Sequence, residues 1–449
     1  MNVQIYKGKA KGTVSAPPSK SYSHRMIICA ALATGTSTLT GFSESQDMLA
    51  TLDCIKNLGA TFSIDGSKIT ITGIGDKLAS GNKSGGLEGE ASVDNTSGGL
   101  EGEVPAGSAT GGLEGKAADG NTSSGLESSS TLFPCRESGS TLRFFIPIAL
   151  AATSSARFAG TSRLIERGIG VYEQLFQNRN ITVSKETEAI VLNGHLTSGT
   201  FELPGNVSSQ FISGLMFALP LLEQDSTIKI LPPVESAAYI QMTIDVLATF
   251  GITIQKKSDT EYFVPGNQKY QPKTCDIEGD WSNAVALFAF GDEVKVTGLN
   301  YQSSQGDKIC LQHIDTLNNN PESEIDLANC PDLAPVLFAY AAAHNGGNFT
   351  GTARLKIKES DRATVMQEEL AKFGIKVDVL ENSVKVHKAP LQTPAVHLDS
   401  HNDHRIVMAM AYLSSITGGY IECAEAINKS FPDYFEKLTQ LGLEVVYDI

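Results

Sequence analysis

Residues 52–73 read LDCIKNLGATFSIDGSKITITG. Leu52, Ile55 and Leu58 recur at helical spacing, Gly59 stops the helix, and the residues after it alternate apolar and polar as strands do. Upstream, SKSYSHRMIICAALA (19–33) leads from hydroxyls into an apolar run that reads as a buried helix. Together they make one unit: a small or hydroxyl start, an apolar helix, an amphipathic helix closing on glycine, and a pair of strands. The apolar helix returns at ESGSTLRFFIPIALAA (137–152), SSQFISGLMFALPLL (208–222), GDWSNAVALFAFG (279–291), CPDLAPVLFAYAAA (330–343) and NDHRIVMAMAYLSS (402–415). The second half returns at TIDVLATFGITIQ (243–255), MQEELAKFGIKVDVLENSVKV (366–386) and YFEKLTQLGLEVVYDI (434–449), and is less distinct after Glu137 and Gly279. Six βαβαββ-like units, each too small to bury its own faces, predict a stacked α/β assembly of two domains with three units in each.

The chain has 449 residues, 41% hydrophobic and 19% charged, which suits a soluble globular protein. No apolar run reaches membrane-spanning length and the first 20 residues lack the apolar core of a signal peptide, so a cytoplasmic location is expected. Seven cysteines are scattered without CxxC or paired Cys/His spacing, which predicts neither a disulfide framework nor structural zinc. The net charge of −15 disfavours a nucleic-acid partner. About half of that excess lies between Ser84 and Ser130, where eight acidic residues face one lysine. This stretch is a tandem repeat of period 13: SGGLEGE at Ser84 and Ser97, TGGLEGK at Thr110 and SSGLESS at Ser123. One leucine per period cannot offset the entropy of ordering the chain, so 76–131 is predicted to be a disordered insertion, with a Gly-rich β-solenoid as the rival. Its flanks, SIDGSKITITG and LFPCRESGS, read as two sides of one hairpin.

Candidate chemistry gathers at the helix starts. In PPSKSYSHR (17–25) the prolines end the preceding segment and leave Ser19 or Ser21 to cap a helix. Its first turn offers free N–H groups, the positive end of the helix dipole and side-chain pairs four apart, Lys20 with His24 and Ser21 with Arg25. That is an anion site, unless it is only a capped helix with solvated charges. Ser208, Ser209 and Gln210 open another helix, and Gly139-Ser140 lets a ligand approach backbone N–H groups. LKIKESDRA reads as one helical face carrying Lys358 and Arg362 with Glu359 beside them, while NDHR sets Asp403, His404 and Arg405 at a further helix start. Arg163 and Arg167 add guanidinium, the planar donor suited to carboxylate and phosphate. Many anion-binding elements and few metal-ligand spacings point to a phosphorylated, carboxylated small substrate.

PPSKSYSHR (17–25), ESGSTLR (137–143), LPGNVSSQFISGLMFALPLL (203–222), LKIKESDR (355–362), NDHR (402–405) and NKSFPDYF (428–435), in this order, resemble the signature segments of the 5-enolpyruvylshikimate-3-phosphate synthases, or 3-phosphoshikimate 1-carboxyvinyltransferases. The resemblance covers the chain apart from 76–131. It implies a two-domain enolpyruvyl transferase fold, α/β, each domain of three βαβαββ units with helices inside and sheets outside. The chain would cross twice, so that 1–18 joins 278–449 and 19–277 forms the other domain. The implied reaction transfers the enolpyruvyl group of phosphoenolpyruvate to the 5-hydroxyl of shikimate 3-phosphate and releases phosphate, in chorismate and aromatic amino acid biosynthesis. No metal or organic cofactor, no nucleic acid and no membrane is implied, and the enzyme is expected to be a monomer.

The same resemblance distributes roles by position. Lys20, Ser21 and Arg25 would contact the substrates. Ser208, Ser209, Ser236 and Lys358 would hold the shikimate phosphate, with Gln210, Tyr239 and Asp332 lining that substrate. Gly139, Arg167, Arg362, Arg405 and Lys429 would grip phosphoenolpyruvate, with Lys20 and Gln210 also on that side. Asp332 matches the base for the attacking hydroxyl, and Glu359 or Lys20 would protonate the methylene carbon. One departure stands out: Glu137 replaces an asparagine that many members carry there. The rival within the fold is UDP-N-acetylglucosamine enolpyruvyl transferase, whose reactive cysteine would have Cys135 as its nearest counterpart. A non-catalytic or RNA-directed protein of the same fold is the alternative of a different class.

Overall fold

Among the described residues six helices have almost no face that water can reach: α1 (Lys20–Leu32), α2 (Gly139–Ala152), α3 (Ser209–Ala218), α4 (Trp281–Phe288), α5 (Ala334–Ala343) and α6 (His404–Thr417). A helix that is apolar all round has only one place to go, the interior. Each unit then covers its buried helix with a sheet and a second, amphipathic helix such as Gln46–Leu58, which ends on Gly59 in the left-handed conformation. Close packing of α2 on α3 depends on Gly214, where a Cβ would collide with the Arg143 carbonyl and the Tyr172 hydroxyl. The structure is a computed structural model and describes residues 1–81, 130–320, 322 and 324–448.

The sheets repeat one plan. Thr131–Arg136 and Ser155–Gly160 run parallel, and the hairpin Thr182–Lys185/Ala189–Asn193 adds its second strand antiparallel to Ser155–Gly160. The same order recurs in Thr200–Pro204, Ser226–Leu231, Glu261–Val264 and Gln255–Lys256, and again in Glu324–Asp326, Gly347–Thr350, Ser383–Val386 and Val377–Val379. Two further sheets complete the plan with a strand from far away in sequence. Thr36–Thr40 pairs in parallel with Thr274–Asp276, and Asn2–Ile5 lies between Gly419–Glu422 and Val445–Asp448. The unit around Gly279 keeps two strands, Gly12–Ser15 and Val294–Thr297, which explains its faint sequence signal. The unit after Glu137, faint in sequence, has a complete sheet.

Two hydrophobic cores result. The first is built from residues between Tyr22 and Ile277, the second from Val3 to Val14 together with Trp281 to Leu443. The chain passes between them at two extended segments joined by a single antiparallel bridge: Ser19 N–H donates to the Glu278 carbonyl (2.7 Å), Asp280 N–H to the Pro17 carbonyl (2.8 Å), and Pro18 bridges Gly279. Gln305 ties this junction down, its Nε2 donating to Glu278 Oε1 (2.6 Å) and to the Gly279 carbonyl (2.8 Å).

The insertion departs from expectation at its edges. Residues 76–81 are helical within Gly75–Gly81, and Thr131 already belongs to a strand; residues 82–129, on which the expected disorder mainly falls, lie outside the described residues. Its flanks do not form a hairpin. Lys68–Thr72 pairs with Thr36–Thr40 and Thr61–Asp65, whereas Thr131–Arg136 pairs with Ser155–Gly160 in the next sheet. Alternation marks both segments as strands but cannot choose their partners. The insertion therefore joins two units.

Candidate active site

Between the cores lies a cleft lined by both. On the first core's side, Ser19 caps α1, accepting from the Tyr22 N–H (3.4 Å), and this sets Lys20 and Ser21 at the rim. Asp280 Oδ2, from across the junction, accepts the Lys20 backbone N–H (2.9 Å), while the Lys20 ammonium pairs with Asp47 (3.2 Å). Arg25 is fixed by three neutral acceptors: Thr243 Oγ1 (2.8 Å) and the Ser21 (2.8 Å) and Tyr239 (3.2 Å) carbonyls. Arg143, one turn into α2, donates to Gln210 Oε1 (2.7 Å), and Gln210 donates to Ser140 Oγ (2.9 Å). Ser208 caps α3 through the Gln210 N–H (3.3 Å) and Ser209 follows it. Gly139 faces two guanidiniums: a Cβ there would stand 3.1 Å from Arg167 Nη2 and 3.3 Å from Arg143 Nη1. The missing side chain leaves a cradle between cations at a helix start.

The second core contributes two of the cleft's carboxylates, Asp332 and Glu359, beside Asp47 of the first. Asp332 Oδ1 accepts from Lys358 Nζ (3.0 Å) and Arg362 Nη1 (2.7 Å). Arg362 also donates to Glu359 (2.8 Å) and to the buried Asp403 (2.9 Å). Glu359 in turn faces Arg167 of the first core at 3.9 Å. Tyr239 Oη donates to Asp307 (3.1 Å), and Asp307 also accepts from Ser282 Oγ. Ser236 N–H donates to Asn329 (2.8 Å), and Arg354 reaches Ser236 Oγ (2.9 Å).

Charge in this cleft is strongly perturbed. Burial alone would push Asp332 up, but Lys358, Arg362, Arg405 and Lys20 outweigh it and hold the carboxyl well below its usual range. Glu359 behaves likewise, burial being overcome by Arg362, Arg167 and Lys20. Burial pulls Lys20 down, yet Asp47 and Glu359 leave it raised. Lys358 is lowered, with burial the larger influence over the pull of Asp332. Burial brings Arg25 down to about 10 and Arg143 to about 9. Buried guanidiniums bonded to neutral groups favour an arriving anion.

Of the residues expected from sequence, Lys20, Ser21, Arg25, Gly139, Arg167, Ser208, Ser209, Gln210, Ser236, Tyr239, Asp332, Lys358, Glu359 and Arg362 line the cleft. Arg405 and Lys429 do not. Arg405 is buried behind it and donates to the Ser282 carbonyl, and Lys429 is bonded to Glu137 (2.6 Å) and to the Asn402 carbonyl (2.6 Å). Lys358 and Arg362 do not share a helical face: Lys358 ends the short turn Ala353–Ile357 in extended conformation, and Arg362 starts the helix Arg362–Lys372. They meet only at Asp332. His24, expected beside Lys20, is buried against Thr51 Oγ1 (2.7 Å). Ser140, singled out with Gly139, lines the cleft too; sequence reading missed Asp47, Arg143 and Arg354, all in the lining. Arg143 was within reach, lying four residues after Gly139 on the same helix.

Cys135 lies on the strand Thr131–Arg136, wholly buried, and is not part of the lining. Among the described residues no group of three or more His, Cys, Asp or Glu side chains is placed to hold a metal ion, and no helix is long and apolar enough to cross a membrane.

Comparison with known proteins meets this geometry. The family described as EPSP synthase (3-phosphoshikimate 1-carboxyvinyltransferase) matches residues 6–89 and 116–438. Proteins named 3-phosphoshikimate 1-carboxyvinyltransferase from Clostridium perfringens and Clostridium kluyveri are similar to this chain. The first is 33% identical over 98% of this chain and 98% of its own length, the second 35% identical over 99% and 98%. Among solved structures, EPSP synthase from Acinetobacter baumannii superposes with a TM-score of 0.71 at 20% identity, covering 99% of this chain and 100% of that one. The enolpyruvyl transferase NikO from Streptomyces tendae gives 0.67 at 12% identity, covering 100% and 98%. Two cores of three units around one cation-rich cleft, and relatives matched over nearly their whole length, place this chain in the EPSP synthase (3-phosphoshikimate 1-carboxyvinyltransferase) family.

Proposed function

We infer that this cleft is where the chain, as a member of that family, transfers the enolpyruvyl group of phosphoenolpyruvate to the 5-hydroxyl of shikimate 3-phosphate, within aromatic amino acid biosynthesis. The observation that carries the reading is Asp332, an ionised carboxylate held by Lys358 and Arg362 in a cleft whose Arg25 and Arg143 bond only neutral groups. Shikimate 3-phosphate sits among Ser21, Arg25, Ser208, Ser209, Gln210, Ser236 and Tyr239, its phosphate reached by Lys358. Phosphoenolpyruvate sits in the cradle of Gly139 and Arg167, with Arg362 opposite, Lys429 recruited from the rim and Arg405 supplying charge from behind. Arg143 belongs with this set because it borders the same cradle.

Asp332 takes the proton of the 5-hydroxyl as its oxygen attacks C2 of phosphoenolpyruvate, and Lys358, with its lowered pKa, is placed to receive or hold that proton. The methylene carbon gains a proton at the same stage, giving a tetrahedral intermediate. Lys20 is the donor that the electrostatics favour, because Asp47 and Glu359 keep it protonated in the free cleft. Glu359 is ionised while Arg362 and Arg167 hold it, and becomes an acid only when phosphoenolpyruvate draws those guanidiniums away. Loss of a methyl proton back to the group that delivered it, with cleavage of the C2–O bond to phosphate, then re-forms the C=C double bond as the enol ether. The surrounding cations stabilise the charge on the carboxylate and leaving phosphate, as preorganised electrostatics does.

The two cores act as domains, 1–18 with 278–449 and 19–277, that close about the paired crossings at 17–20 and 278–280; the split of the binding groups between them supports this. A monomer suffices, since every proposed group comes from one chain. Phosphate release from phosphoenolpyruvate should require shikimate 3-phosphate. Release with UDP-N-acetylglucosamine instead, or with no acceptor, would overturn the reading.

A further inference from the structure

Lys429, like Lys20 and Arg362, is already paired with a carboxylate, but its partner Glu137 lies outside the cleft lining and is assigned no part in the reaction. Its ammonium lies 2.6 Å from Glu137 Oε2 with only 12% of the side chain exposed, and it also donates to the Asn402 carbonyl (2.6 Å). Asn402 Nδ2 donates to both Glu137 oxygens, at 3.1 and 3.3 Å. Glu137 precedes α2 in the first core, while Asn402 and Lys429 belong to segments bordering α6 in the second. The cluster therefore spans the two halves, two residues from Gly139 and the cradle between Arg143 and Arg167.

We propose that Glu137 is an internal counter-ion latch: it holds Lys429 at the rim of the free enzyme, and phosphoenolpyruvate must displace it to gain that cation. The proposal rests on the assignment of Lys429 to phosphoenolpyruvate. Arg143, also at that cradle, bonds neutral groups that an anion need not displace, whereas Lys429 is neutralised by a carboxylate that competes with the ligand and repels it. Glu137 thus sets the affinity of the phosphoenolpyruvate side. It is a positioning residue, acting through Lys429 and not on the reacting atoms.

The test compares Glu137→Gln and Lys429→Met with the wild type in steady-state kinetics, at low and high potassium chloride, with inorganic phosphate as a competing probe. Gln keeps an acceptor for Asn402 and removes the charge. Glu137→Gln is expected to lower the KM for phosphoenolpyruvate and the inhibition constant of inorganic phosphate roughly threefold to tenfold, the scale of a partly exposed ion pair, with kcat within about twofold. Its KM should also rise more steeply with salt, because Lys429 is then an uncompensated cation. An unchanged or higher KM, or a fall in kcat alone, overturns the latch. Lys429→Met should raise the same KM about tenfold or more; if it does not, the assignment of Lys429 fails, and the latch with it. Loss in Lys429→Met without tightening in Glu137→Gln leaves the assignment standing and rejects the latch.

Discussion

The first core meets the cleft with Arg25 and Arg143, which bond only neutral groups, while the second meets it with Lys358 and Arg362, which converge on Asp332. The two halves share a strand plan and three buried helices each, so the fold does not dictate this difference. A buried cation without a carboxylate has most to gain from an anion arriving from solution. A carboxylate clamped between cations stays ionised and is suited to accept a proton. On this reading the first core, Lys20 apart, mainly binds, and the second holds the base.

The largest effect is expected at Asp332. Asp332→Asn keeps the shape and removes the base, and kcat/KM should fall by about a hundredfold to ten-thousandfold, with shikimate 3-phosphate binding, followed by calorimetry, changed far less. Near-native turnover would remove the second core's assigned role. The counterpart in the first core is Arg143→Gln, expected to raise the KM for phosphoenolpyruvate about tenfold to a hundredfold and to spare kcat more than Asp332→Asn does. If both variants lose mainly kcat, the division between binding and chemistry breaks down.

The smallest effect sharpens an exception, for the second core also holds a carboxylate bonded to no cation. Asp307 accepts from Tyr239 and Ser282, and burial, then the charge of Asp332, push it up to about 6 from an ordinary 3.8. A carboxyl raised by folding favours the folded state while protonated and penalises it once ionised, so wild-type stability should decline as pH rises from about 4 to about 6. Asp307→Asn does not titrate. Its melting temperature relative to wild type should therefore climb across that window and level off above it, by about 3 °C for roughly 3 kcal/mol. A difference independent of pH would mean that Asp307 is not the group that titrates there.

Much of this was legible in the chain. The six buried helices announce themselves because a hydroxyl or small start followed by an unbroken apolar run has few other readings, and the lysines and serines at those starts do line the cleft. Pairing was not legible. The partnership of Thr36–Thr40 with Thr274–Asp276 spans more than two hundred residues, and alternation carries no address for a partner. The same limit produced the mistaken hairpin around the repeats. Lys358 and Arg362 were joined in one helix because spacing of four suggests it, whereas the extended backbone at Lys358 separates them and the shared acceptor, Asp332, brings them back together. Asp47 and Arg354 carry no local mark at all, since each matters only for what folding sets beside it. Asp332 itself was legible through resemblance alone.

The strand Asn2–Ile5, held between Gly419–Glu422 and Val445–Asp448, also has a history during synthesis. The first core has every strand it needs once Thr274–Asp276 has been made, so it can assemble while translation continues. The opening strand has no partner until Gly419–Glu422 emerges, and at about 5 to 20 residues per second that is a wait of roughly twenty to eighty seconds after its own synthesis. This strand, made before the first core, is thus among the last to find its place and waits unpaired beside a finished neighbour until then.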